Sequence, residues 1–401
     1  MNGLGRGNSN AGCEVLAVCS DKRGPNMRMT ALSEIVVRFT LVWFLVFVPT
    51  HALAASPELL KAKKDAEAKG YVFFATHDEI VGGAKREGKL RVSSGLEPPN
   101  FTPLIAAFKQ KFPFITDVHV EEITTDTFQK FLLEIRSGQA KEWDIIHIPL
   151  EFGKDYMPYL MKHDILGMAQ QGVIKIDPRM VHSRERNIVG VTSAISAAAY
   201  NRKLISEDKV PTRWEDFLKP EFKGKKFVLD LVPRQLAGLV PAWGLEPTLD
   251  FARKLAAQQP IWGKGGARVT NSVATGEYSL YLGPNFSTVK RAMTKDPTGA
   301  LSYRIVEPVV TNIGHHSTGT LKTANHPHAA LLWLEFLASP EGQEIIDKYE
   351  PLKASLYTPG SVVAQEVRGK ELSLVDWDHF TRLQEYMEKI VAASGFPKAD
   401  N

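Results

Sequence analysis

Lys89-Leu90-Arg91-Val92-Ser93-Ser94-Gly95 and Asp144-Ile145-Ile146-His147-Ile148, with the two helical patterns between and around them, decide the fold. In the first stretch Leu90 and Val92 alternate with polar residues, the period of a strand. Glu97-Pro98-Pro99-Asn100 then reads as a loop, and Thr102-Pro103 as a helix start, a capping residue followed by proline at the first helical position. Leu104, Ile105, Phe108 and Phe112 keep one face, and Pro113 stops it. Val118-His119-Val120 is a second strand. Phe128, Phe131, Leu132 and Ile135 then fall at i, i+3, i+4 and i+7, a helix closed by Gly138. The second quoted stretch is a third strand, ended by Pro149. Strand, helix, strand, helix, strand at this spacing predicts a parallel α/β sheet.

Further along, residues 188–200 carry no charge and are rich in Val, Ile, Ala and Ser. Such a run is a buried strand or a crossover between domains, and residues 305–313 are a second candidate. Thr212 and Glu215 have the spacing of a capping box ahead of Trp214, Phe217 and Leu218. Residues 224–229 and 278–282 read as strands. Residues 58–69, 236–243, 249–257, 329–337 and 340–349 read as helices. The expected division is 55–188 with 312–401 as lobe I and 189–311 as lobe II.

On the amino-terminal side, residues 39–48 read FTLVWFLVFV, an uncharged run preceded by Arg38 and followed by Ala52-Leu53-Ala54. A basic flank, a short apolar core and a small-x-small site predict a secretory signal cleaved near Ala54. Ten residues rise about 15 Å as a helix, half of a ~30 Å bilayer core, which argues against an anchor. Residues 1–26 do not resemble the start of a signal, and a start at Met27 or Met29 is expected, with the preceding residues an overhang. Both cysteines, Cys13 and Cys19, lie in that stretch. No disulfide framework, zinc spacing or lipid-anchor cysteine follows. The 401 residues carry 49 basic and 45 acidic side chains without a basic block, which argues against a nucleic-acid binder.

Nucleophile-elbow, zincin, Walker and dinucleotide motifs are missing. Ser287-Thr288-Val289-Lys290 matches S-x-x-K but lacks its partner motifs, so it carries no catalytic weight. The chain therefore reads as a non-enzyme without a cofactor. In an open α/β sheet, ligands bind beyond the carboxyl ends of the strands. That places Ser93, Ser94 and Gly95 after the first strand, Thr124, Thr125 and Thr127 after the second, and His147 on the third. Hydroxyls at a helix N-terminus suit an anion, although plain capping or a turn explains them equally well. Arg234 follows a strand and precedes a helix, where a guanidinium can clamp a carboxylate or phosph(on)ate. His315, His316 and Ser317, flanked by Gly314 and Gly319, complete the candidate ligand-binding set. If a metal were carried, His147, His315 and His316 would hold it. Adjacent residues of a strand face opposite ways, so one of His315 and His316 is expected in the cleft.

Residues 87–95 with Phe108-Lys109-Gln110-Lys111-Phe112-Pro113, Ala199-Tyr200-Asn201 before Val210-Pro211-Thr212-Arg213-Trp214, Pro220-Glu221-Phe222-Lys223-Gly224-Lys225, and residues 322–343 occur in that order. Together they resemble family 1 extracellular solute-binding proteins of ABC importers, in the ferric-ion-binding-like branch. The resemblance implies a type II periplasmic binding fold: two α/β lobes joined by hinge crossover strands. It also implies a periplasmic monomer that hands a solute to an inner-membrane ABC permease. Ferric binders of this branch hold iron with an adjacent tyrosine pair, and this chain has no Tyr-Tyr. The expected function is therefore capture of a small anionic solute in the cleft. The alternatives are a ferric or other metal carrier and a periplasmic enzyme on the same scaffold.

Overall fold

The alternation of Leu90 and Val92 is that of a strand with one apolar face: both are buried while Lys89 is exposed. In the computed structural model, which describes residues 56–123, 127–148, 153–349 and 353–397, the strands in chain order are β1 (Lys89–Ser94), β2 (Asp117–Glu122), β3 (Ile145–Ile148), β4 (Ile188–Gly190), β5 (Ala194–Asn201), β6 (Val228–Asp230), β7 (Ile261–Gly263), β8 (Leu280–Asn285), β9 (Leu301–Arg304), β10 (Val309–Asn312), β11 (Ser317–Thr320) and β12 (Leu372–Val375). The expected signal, its cleavage site near Ala54, and Thr124 and Thr125 lie outside the described residues.

Two mixed sheets result. The first has the order β2-β1-β3-β11-β4. Its β1, β2 and β3 are parallel as the spacing requires, and β11 returns antiparallel to β3 and β4. The second has the order β12-β10-β5-β8-β6-β7, with β9 on β5. Helices Phe101–Lys111 and Pro327–Ala338 cover the first sheet. Phe108 meets Trp333 edge-on at 4.9 Å between ring centroids, in a core with Leu90, Val92 and Ile145. The second core gathers Trp214, Phe217, Phe227, Leu229 and Leu282. Burying side chains of this size supplies the main driving force of each layer.

Several expectations shift. The helix expected to open at Thr102-Pro103 begins at Phe101, and Asn100 precedes it without a side-chain cap. The box expected between Thr212 and Glu215 closes one residue later. The Asp216 carboxylate accepts from the Thr212 and Arg213 amides, because the turn that follows is a 3-10 helix, Trp214–Leu218. The uncharged run 188–200 is two strands, β4 in one sheet and β5 in the other. The tail also departs from the expected lobe I. β12 pairs parallel to β10, and helix Leu383–Ser394 packs on Leu245–Ala257, burying Tyr386, Met387 and Ile390 in the second core. The physical reason is that β10 offers a second edge of backbone groups, and Leu249 and Leu255 an apolar face, that need covering.

Two core histidines give the fold a pH dependence. Burial pushes His163 down to about 4, with the nearby His328 adding to the effect, and burial pushes His182 down to about 4 against Trp377, on which it stacks. The unfolded chain protonates these groups as pH falls through about 6.5, and the folded chain does not, so stability must fall with pH. His77 works against this: its hydrogen bond to Glu335 raises it, so it favours the fold in acid. His315 and His316, pushed down in the same way by burial, add to the pair, so the net is a loss in acid. Urea unfolding should show a loss of at least about 2 kcal/mol between pH 7 and pH 5. A flat or rising profile would contradict this account.

Candidate functional site

The site starts where the chain passes between the sheets. It leaves the first at Gly190 and enters the second at Ala194, then returns between Asn312 and Ser317. Thr192 and Ser193 are fully buried at the centre of this passage. The His315 amide donates to the Thr192 carbonyl at 3.2 Å and the Val191 amide to the His316 carbonyl at 2.9 Å. The Thr192 hydroxyl accepts from the His316 amide at 3.0 Å. On the other side the Ser193 amide donates to the Lys353 carbonyl at 3.1 Å, and the Ser193 hydroxyl accepts from the Leu356 amide at 3.0 Å. Buried Gln343 clamps the bundle, donating to the Val191 carbonyl and accepting from the Ser355 amide. Three segments thus run side by side, each satisfying backbone groups of the central one.

Between Asn312 and Ser317 the chain turns rather than extending. A Cβ on Gly314 would come within 2.9 Å of the Trp377 ring, so the turn packs closer than any other residue permits. The turn breaks strand alternation, and both His315 and His316 line the cavity, where one was expected. Their rings lie 4.6 Å apart, and His147 meets His316 edge-on at 5.5 Å.

The cavity has a volume of about 410 Å³, within the range of small-molecule sites. Gly95, Glu97 and His147 reach it from the first sheet, and Arg234, Gln235, Asn285 and Asn312 from the second. The returning passage brings His315 and His316, and the third segment brings Lys353. Phe128, Phe380 and Leu383 form apolar wall. His147 is fixed by a 3.1 Å contact of its Nδ1 with the Ser317 carbonyl and by Gly95, where a Cβ would stand 2.6 Å from the ring. Gln235 donates to Asn285 at 3.0 Å.

The charged groups of the cavity wall are Arg234, Lys353, Glu97 and Glu122. Burial pushes His315 down to about 3, and Lys353, His147 and Arg234 push the same way. Burial, His315, Lys353 and His147 hold His316 far below the ordinary range. Both imidazoles are neutral at physiological pH, and the buried Nδ1 of His316 has no hydrogen-bond partner among the described residues. Lys353 lies 3.6 Å from Glu97. A guanidinium, an ammonium and neutral imidazoles around one space can bind an anion.

Gly95, His147, Arg234, His315 and His316 are therefore brought together. Ser93, Ser94 and Ser317 are not in this wall. They border a neighbouring space of about 10 Å³, room for no more than a water. The Ser94 hydroxyl accepts from the Leu96 amide and the Ser317 hydroxyl donates to the Gly314 carbonyl, so both serve turns. Thr127 is exposed ahead of helix Phe128–Arg136, and its side chain makes no capping bond to that helix. Lys353, Glu97, Asn285 and Gln235 are residues that sequence reasoning missed. Asn285, at a strand-to-helix junction, carried the same signal as Arg234; Lys353 and Glu97 carried none. His147, His315 and His316 do not form a metal site: among the described residues no group of three or more His, Cys, Asp or Glu is placed to hold an ion. The cavity wall holds no hydroxyl or thiol among the described residues.

A family model described as bacterial extracellular solute-binding protein matches residues 143–382. No curated protein matches the chain. Among solved structures, the Pasteurella haemolytica apo ferric ion-binding protein A is 15% identical, with 78% of this chain and 100% of that chain covered at a TM-score of 0.59. A Trichodesmium protein (IdiA, FutA) in complex with iron and citrate ligands is 17% identical, with 77% and 100% covered at 0.59. The substrate binding protein of an ABC transporter from Agrobacterium tumefaciens is 15% identical, with 75% and 95% covered at 0.54. These likenesses show the fold: two lobes, each an α/β layer, joined by crossover segments.

Thr192 gives this geometry a direct test. Thr192→Val keeps the shape but leaves the His316 amide without its acceptor in a buried place. It should cost about 1–3 kcal/mol in urea unfolding. A change within about 0.5 kcal/mol, the size of a surface substitution, would mean the hydroxyl does not hold the passage together.

Proposed function

Because the chain belongs to the bacterial extracellular solute-binding proteins, we propose that its cavity captures a small anionic solute for delivery to an inner-membrane ABC permease. The observation that supports an anion is the convergence of Arg234, from the second sheet, and Lys353, from the segment beside the passage, on the His315–His316 pair. Arg234 offers paired donors to a carboxylate or phosph(on)ate. Lys353 adds a second charge, the neutral histidines add donors, and Asn285 and Asn312 supply further polar contacts. Phe128, Phe380 and Leu383 suit an apolar body on the same molecule.

The lobes proposed for this capture are 56–190 with 317–349 on one side, and 194–312 with 372–397 on the other. Closure of one on the other takes water from the cations and strengthens their hold on an anion. Site of action is the periplasm, with the segment ahead of residue 56 as the export signal. No helix among the described residues is long and apolar enough to cross a membrane. Several similar structures are named for ferric ion, but among the described residues the histidines and glutamates are not grouped to hold a metal, and the cavity wall brings no hydroxyl or thiol to a base.

Titration calorimetry of the protein against inorganic phosphate, alkylphosphonates, and mono- and dicarboxylates tests the reading. One of these classes should bind, and Arg234→Ala should weaken it by about 1.5–3 kcal/mol, with unfolding free energy changed by no more than about 0.5 kcal/mol. Equal affinities for wild type and variant, or binding of no anion at all, would defeat it.

A further inference from the structure

Glu97 stands where the two layers meet. It follows β1, and its carboxylate is shared between two cations of different origin. One is Lys353, at the cavity, with 11% of its side chain exposed. The other is Arg291, on the helix Phe286–Met293, which packs against β5, β8 and β9 of the second sheet. The Arg291 side chain is 42% exposed and that of Glu97 34%. Exposure therefore rises from Lys353 through Glu97 to Arg291, which sets the pair at the rim of the cavity with the lysine inside. Phe286 and Val289 of the same helix are buried, so the helix is fixed to its sheet and cannot follow Glu97 independently. A second ion pair, Arg184–Asp378, is more exposed, and neither of its members lines the cavity.

We propose that Glu97 is an interlobe latch: its ion pair with Arg291 holds the lobes together in the unliganded protein, while the same carboxylate positions Lys353 in the cavity. The inference rests on the two-lobed fold and not on the charge of the solute. Opening of the lobes breaks the Glu97–Arg291 contact, because its two ends belong to different sheets. An anion that reaches Lys353 competes with Glu97 for it, so the latch also ties cavity occupancy to the outer ion pair. A half-exposed pair is worth little in free energy, but an opening equilibrium near balance responds to a small bias.

The test needs no ligand. In the full chain with Cys13 and Cys19 replaced by serine, spin labels on Gln110→Cys and Ala257→Cys sit on exposed helix positions of the two layers. Pulsed electron resonance then reads the distance distribution between them. Glu97→Gln and Arg291→Gln should each shift the ratio of open to closed populations about twofold to fivefold toward longer distances. Salt at about 0.5 M, roughly five times the ionic strength of dilute buffer, should move the wild type the same way and the variants less. Circular dichroism checks the fold, and Arg291→Gln, on an exposed side chain, decides the matter if Glu97→Gln is unstable. Distributions that overlay the wild type in both variants overturn the latch. So does a shift in Glu97→Gln alone, which would assign the effect to Lys353.

Discussion

Everything at the site depends on the buried hydrogen bonding around Thr192 and Ser193. A chain that passes between two sheets leaves sheet pairing for a few residues, and its amides and carbonyls must still be satisfied away from water. Here two neighbouring segments supply the partners, one on each side, and two hydroxyls supply the rest. The return passage and the segment beginning at Lys353 are therefore held in register with the outgoing one. His315, His316 and Lys353 come to one place because their backbones are the partners of Val191, Thr192 and Ser193.

That placement also sets the chemistry of the cavity. A packed passage excludes water from one side of the two imidazoles, and burial there disfavours their charged forms. Lys353 and Arg234 reinforce this. The result is a space in which the two histidines give up their charge beside Arg234 and Lys353. Glu97 and Glu122 set negative charge in the same wall, and Glu97 pairs with Lys353 inside and with Arg291 further out. The two layers are thus joined by a hydrogen-bonded passage of chain, by the His182–Trp377 stack with the Arg184–Asp378 pair beside it, and by the Glu97–Arg291 ion pair at the rim.

Parts of the site were legible and parts were not. Arg234 announced itself by standing between a strand and a helix, where a sheet of this class opens to ligands. His147 did so by ending a buried strand, and the two histidines by their company of glycines. Ser94 and Ser317 carried the same kind of signal, and their hydroxyls bond within turns: a hydroxyl at a strand end serves a turn as readily as a ligand, and the difference lies in which way the turn bends. Lys353 and Glu97 had no local mark, because each acquires its role from a segment far away in sequence. His315 and His316 were read as alternating because the turn at Gly314 depends on Trp377, some sixty positions later.

Sequence by itself determined the class of the fold. Periodicity is a local property, so Leu90 and Val92, the Phe128–Ile135 face and the uncharged run at 188–200 announced strands, helices and a passage between layers without reference to anything distant. It also determined the family resemblance, since ordered motifs are read along the chain. Only the tertiary structure decided that the run at 188–200 divides between two sheets, and that the tail residues 372–397 complete the second layer rather than the first. It alone placed a lysine and two glutamates in the cavity wall. The reason is physical: edge pairing, apolar coverage and the meeting of charges are satisfied by whatever segment arrives with the right face. Arrival depends on packing across hundreds of residues, which no local pattern records.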